Sequence, residues 1–153
     1  MESRLRLRRR HWLAWMALCG ALAVHVADEA LTGWLDWYNP TVRAIHERYP
    51  YRLMEILLPT FTFEIFLSLL IFAVVSLTAA SWFVWKGRWA MRPISHVFAV
   101  VLLSNGLFHI GHSIYMGKLM PGVYTSPLLL AASIALIVYV FRPRTTRINT
   151  DST

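Results

Sequence analysis

Long apolar runs alternate with short polar joints along the chain. The runs cover about residues 12–32, 56–85, 94–116 and 122–141. Each comes close to the roughly 20 apolar helical residues that cross a bilayer core of about 30 Å. None shows the period-two alternation of a membrane barrel strand, so the pattern predicts helices. The second run is longer than a span needs. Pro59 fits a first helical turn, where its missing N–H costs nothing, and Glu55 and its neighbours read as an interfacial lead-in. The predicted fold is all-α, a single four-transmembrane-helix bundle over residues 12–141. A basic segment, 1–11, precedes it and a polar tail, 142–153, follows it. The joint at 32–55 is rich in Trp and Tyr, which commonly anchor a chain at the membrane surface. Within it, residues 41–52 have the pattern of an amphipathic surface helix.

Composition sharpens this picture. Of 153 residues, 57% are hydrophobic and 15% charged, against about 25% charged in an ordinary soluble domain. Such a composition excludes a disordered chain. The formal net charge of +7 would raise nucleic acid as a partner. Here, however, the basic residues bracket apolar runs, so the expected partner is the lipid bilayer and not nucleic acid. Eleven of the 15 Lys and Arg fall on one side. These are Arg4, Arg6, Arg8, Arg9 and Arg10, then Lys86, Arg88 and Arg92, then Arg142, Arg144 and Arg147. The other side has Arg43, Arg48, Arg52 and Lys118. Basic residues mark the cytoplasmic side, which predicts both termini inside and a location in a cell inner membrane. The basic start and Ala21-Leu22-Ala23 also resemble a cleavable signal sequence. The helical pattern runs on through Val24, Val26, Ala27, Ala30 and Leu31, so an uncleaved first span is expected. The single cysteine, Cys19, excludes an intramolecular disulfide framework and a Cys-rich zinc module.

Ionisable residues inside apolar runs cost about 2.5–3.5 kcal/mol each on insertion scales, which makes them functional candidates. The first run holds His25, Asp28 and Glu29, the second Glu64, and the third Asn105, His109 and His112; the fourth holds none. At about 100° per residue, the first three share an arc of about 100° and the last three an arc of about 60°. Glu64 shares a stripe with Thr60 and Ser68. Adjacent spans run antiparallel, and a rise of about 1.5 Å per residue puts every stripe about 5–15 Å below the outer surface. The three stripes are expected to meet at one level.

Carboxylates buried together repel one another and lose their charge. A cation held by carboxylate oxygen and imidazole nitrogen removes that conflict and offsets the desolvation. The candidate ligands are His25, Asp28, Glu29, Glu64, His109 and His112. Six exceed a closed tetrahedral site and suit two carboxylate-bridged ions, or one ion beside an acid/base carboxylate. Glu29 and Glu64 are the candidate catalytic groups, with Asn105 in support. The expected cofactor is a divalent or trivalent metal ion, iron or zinc. Paired-iron bundles use Glu and Glu-x-x-His on facing helices, whereas the local order here is His-x-x-Asp-Glu. Plainer roles exist: Asn105 bonding a neighbouring helix, His112 solvated at the interface, Asp28 paired with Arg43. Three functions stay open. The first is a metal-dependent oxidoreductase or hydrolase acting on a lipidic or membrane-dissolved substrate. The second is a metal-ion or proton transport protein, and the third a metal-free acid/base isomerase. The inner halves of the runs offer mainly Ser76, Thr78, Ser81 and His96, a thin basis for a permeation path, so the enzyme is preferred.

His25-Val26-Ala27-Asp28-Glu29 resembles the signature of the HXXEE-motif family of small bacterial integral membrane proteins, with Asp28 where the family has its first Glu. Gly33-Trp34-Leu35-Asp36-Trp37-Tyr38-Asn39 resembles the aromatic segment after that motif. Asn105, His109 and Pro121-Gly122-Val123-Tyr124-Thr125 resemble its later landmarks. The resemblance covers nearly the whole chain. It implies a polar, metal-binding site at His25, Asp28, Glu29, Glu64 and His109, and no particular reaction, since the family's biochemical function is unknown. Asp for Glu shortens one ligand arm by a methylene.

Overall fold

The computed structural model describes residues 2–141, with side chains placed for 5–139. The predicted polar tail, with Arg142, Arg144 and Arg147, lies outside the described residues. The described chain is all-helical: α1 Glu2–Leu31, α2 Trp34–Arg48, α3 Arg52–Leu57, α4 Phe63–Trp85, α5 Met91–Met116 and α6 Ser126–Phe141.

The basic segment is not separate from the first span. Arg and Leu are strong helix formers, and α1 runs unbroken for 30 residues, about 45 Å at 1.5 Å per residue. The second apolar run starts differently from the prediction. Pro59 lies in the break between α3 and α4, and Leu58 before it adopts φ −127° and ψ 70°, outside the helical region that a following proline disfavours. Helix α4 begins only at Phe63, where the Thr62 hydroxyl accepts the Ile65 N–H at 3.4 Å. The joint at 32–55 is also more helical than predicted. Helix α2 takes up the aromatic segment from Trp34 onward and carries Pro40 within it. It stops before Pro50, which bars Tyr49 from the helical region.

Three helices are long and apolar enough to cross a membrane: α1 over Leu5–Leu31, α4 and α5. Where the pattern predicted a fourth crossing, α6 has 16 residues and reaches about 24 Å. Helix α1 packs between α4 and α6, and α6 packs along α5. Trp12 meets Trp85 edge-on at 5.5 Å, Trp15 Nε1 donates to the Leu77 carbonyl at 3.0 Å, and His11 Nε2 lies 2.9 Å from Ser95 Oγ. The start of α1 and the α4–α5 turn therefore share one end of the bundle. The other end holds the last turns of α1 and α5 and the start of α6.

Small residues let helix backbones approach closely. Ala99, Gly106, Ala132 and Ser133 are such residues, all buried. A Cβ on Gly106 would stand 3.0 Å from Leu130 Cδ2, which sets how closely α5 and α6 approach. Trp15, Leu18, Leu129 and Leu136 fill the middle of the bundle with no exposed surface.

Candidate metal centre

Helical spacing puts His25 and Glu29 one turn apart on α1, and the α1–α6–α5 packing brings His109 of α5 to face them. All three are buried: His25 is 1% exposed, Glu29 6% and His109 0%. Glu29 Oε1 lies 3.0 Å from His109 Nε2 and 3.6 Å from His25 Nε2. One ligand atom from each residue lies within 4.8 Å of the other two. A tetrahedral ion with bonds of about 2.0–2.1 Å holds its ligands about 3.3–3.4 Å apart. The two short distances bracket that spacing.

The chemistry of the donors points the same way. Thr125 Oγ1 lies 2.9 Å from Asp28 Oδ2 and 3.4 Å from the Gly122 carbonyl. The shorter, charge-assisted contact takes the hydroxyl proton. His25 Nδ1, 2.9 Å from the same hydroxyl oxygen, must then be the donor. The Thr125 N–H also reaches Asp28 Oδ2, at 3.2 Å. This relay leaves His25 Nε2 as a lone pair turned toward a carboxylate oxygen. Neither His25 Nε2 nor either nitrogen of His109 finds a hydrogen bond of acceptable geometry among the described residues. At 3.0 Å, Glu29 is near His109 Nε2 yet off the line of a ring N–H. Electron-rich atoms converging in a buried space fit a cation between them. A ligating histidine whose other nitrogen donates outward is the arrangement that fixes a metal ligand's tautomer and ring orientation.

The site is backed by a residue that sequence reasoning noticed only as a landmark. Gly122 has φ 82°, and a Cβ there would stand 2.8 Å from His109 Cε1, 2.9 Å from His109 Nδ1 and 3.1 Å from His25 Cε1. Only glycine lets the turn before α6 pass so close behind both rings. The two imidazoles meet edge to face at 4.9 Å. Above them, Trp34 stacks obliquely on His109 at 5.0 Å and Trp37 meets His112 at 4.8 Å. The aromatic segment read as membrane anchors is thus a roof over the histidines. Its signal was the spacing of Trp34, Trp37 and Tyr38 on one helix face.

The roof is fastened to the α3–α4 linker. Asn39 donates to the Phe61 carbonyl at 2.8 Å and accepts the Phe61 N–H at 3.1 Å, while the Tyr38 hydroxyl donates to the Pro59 carbonyl at 3.1 Å. Burial raises the Tyr38 phenol above its ordinary pKa, so it remains a donor. Between α1, α2 and this linker lies a cleft of about 320 Å³ that has Glu29 in its lining.

Three predicted ligands stand apart from the cluster. Asp28 lies about 100° around α1 from Glu29 and spends its carboxylate on Thr125, so it orients His25 instead of joining the cluster. Glu64 is exposed. Because α4 begins at Phe63, Glu64 sits in the first turn at the helix mouth and not one or two turns inside, and α4 packs chiefly on α1, away from His109. The expected convergence of Glu64 with Glu29, His25 and His109 is corrected accordingly. His112 lies flat against Phe108 at 5.4 Å, with its Nε2 buried and unpartnered, and does not enter the three-residue group. Asn105 stands close enough to His25 to act on its ring, with Oδ1 buried and unpartnered.

No curated protein matches the chain, and no solved structure does. A family model described as a protein of unknown function with HXXEE motif matches residues 15–137. His25-Val26-Ala27-Asp28-Glu29, which contributes the two α1 members of the buried cluster, has the form of that motif with Asp for its first Glu, and the chain belongs to that family.

Proposed function

We propose that this chain is an integral membrane protein holding one metal ion between His25 Nε2, His109 Nε2 and a Glu29 carboxylate oxygen, and that it is a metal-dependent enzyme. The observation that carries the reading is the pair of buried, unpartnered imidazole nitrogens converging on one carboxylate, with the His25 tautomer set from behind by Thr125 and Asp28. Two imidazoles and one carboxylate with further positions open form the donor set of catalytic zinc sites and of oxygen-handling iron sites. Three ligands suit one ion; the two-ion version needed Glu64 and loses its basis. When bound, such an ion supplies Lewis acidity and an acidified water. The chain's own residues hold it, keep the His25 lone pair free and cover the site with Trp34.

Orientation follows from charge. Arg6, Arg8, Arg9, Arg10, Lys86, Arg88 and Arg92 gather at the end opposite the cluster, which favours a cytoplasmic N-terminus and a site near the outer face. Helix α6, at about 24 Å, would make the fourth crossing with local thinning of the bilayer. A cytoplasmic C-terminus would follow. Transport is disfavoured because the buried residues beneath the cluster, Leu18, Leu22, Leu102 and Leu129, are apolar, and among the described residues a single buried hydroxyl at their level, Ser133, is a thin basis for a path.

The test is metal analysis of detergent-purified protein. The parent should carry about one zinc or iron per chain, and His109→Ala and Glu29→Gln should carry a tenth of that or less. A parent that holds no ion as purified, and takes none up from micromolar zinc or ferrous iron, would sink the proposal.

A further inference from the structure

The cleft beside the cluster has a chemistry of its own. Glu29 belongs to both: Oε1 faces the two histidines, and the residue also lines the cleft with Ala30 beside it. Trp34, Phe61 and Phe66 supply aromatic walls, and Trp34 also touches the His109 ring. Asn39 lines it too, but both ends of its amide are committed to Phe61. Asp36 is the one other charged residue in the lining, and no Lys or Arg contributes. The walls are held in place by hydrogen bonds between α2 and the linker, so the cavity is built before any ligand arrives.

We infer that this cleft binds the substrate of the metal centre, and that the substrate is an uncharged amphiphile. Its hydroxyl or carbonyl oxygen lies at the Glu29 end and its apolar body lies among the aromatic rings. The inference rests on the metal reading above. An anionic head would meet Asp36, and a cationic head would meet the ion held by Glu29. With the ion bound, the charges of Glu29, Asp36 and the metal nearly cancel, which selects a neutral head. About 320 Å³ lies at the small end of ligand pockets. It accommodates the head and first part of a chain, and the exposed Phe63 leaves the rest to the bilayer.

The experiment uses the full chain in nanodiscs of uncharged lipid, with three diazirine probes: a C16 alcohol, the matching carboxylic acid and the matching amine. Adducts are mapped by mass spectrometry, and zinc and iron are measured on the same sample. The alcohol should label residues 30–39 or 58–66 at least fivefold more than either charged probe. Ala30→Phe, which fills the cleft and leaves His25, Glu29 and His109 unsubstituted, should cut that labelling at least fivefold while zinc content stays at the parental level. Asp36→Lys, on the surface, should admit the acid and bring its labelling within twofold of the alcohol's; this variant decides the matter if Ala30→Phe does not fold. Equal labelling by the three probes, alcohol adducts unmoved by a folded Ala30→Phe, or acid labelling unmoved by Asp36→Lys overturns the substrate class while metal content still speaks for the metal site. A parent with neither zinc nor iron, even after loading, overturns the metal reading, and with it this inference.

Discussion

Gly122→Ala should damage the metal centre out of proportion to the single methyl it adds. Two costs act at this position. A residue with a Cβ in the left-handed region costs about 1–2 kcal/mol. The methyl would also stand 2.8 and 2.9 Å from His109 and 3.1 Å from His25, where ordinary contact begins at 3.4 Å. The His109 ring must retreat by roughly 0.6 Å and the His25 ring by roughly 0.3 Å, and metal–ligand distances tolerate only about ±0.2 Å. Overpacking of this kind adds about 1–3 kcal/mol. Gly117 provides the control. It also has positive φ, 63°, but nothing lies within 4 Å of its would-be Cβ, so Gly117→Ala carries the strain of about 1–2 kcal/mol alone. Zinc affinity is read by competition with a chromophoric chelator in detergent, and stability by thermal unfolding in EDTA. Gly122→Ala should bind zinc about 10–100-fold more weakly than Gly117→Ala, the range seen when outer-shell supports of a metal ligand are removed. Affinities within twofold of each other would refute the placement of Gly122 behind the ring pair.

Thr125→Val keeps the side-chain volume but breaks the link from Asp28 to His25, and should weaken zinc binding by about tenfold or more in the same titration. Glu64→Gln should leave zinc content and affinity unchanged, because the residue is exposed at the mouth of α4; a loss would return it to the site. Asn39→Ala removes two hydrogen bonds to Phe61, worth about 0.5–1.5 kcal/mol each, so amide hydrogen exchange in α2 should speed up by about 5–100-fold with zinc content held.

The apolar runs foretold the long helices because length and composition alone decide what can cross a bilayer. Depth placed His25, Glu29 and His109 together for a sound reason: each lies within about two turns of the same end of α1 or α5. What failed was helix phase and helix start. Asp28 and Glu29 are neighbours in sequence, yet 100° of rotation sends one to Thr125 and the other to His109. Pro59 is compatible with a first turn or with a break, and the choice of a break moved Glu64 from the interior to the mouth of α4. Gly122 and Trp34 act through tertiary approach, to which spacing along one helix is blind. An aromatic segment at an interface looks the same whether its rings face lipid or a histidine.

The most direct test of the account is X-ray absorption at the zinc edge of the zinc-loaded, detergent-purified chain. The spectrum should show one zinc per chain in a four- or five-coordinate shell of nitrogen and oxygen at about 2.0–2.1 Å, with outer-shell scattering from two imidazoles. A six-coordinate shell of oxygens without imidazole scattering would contradict the assignment of His25 and His109 as ligands.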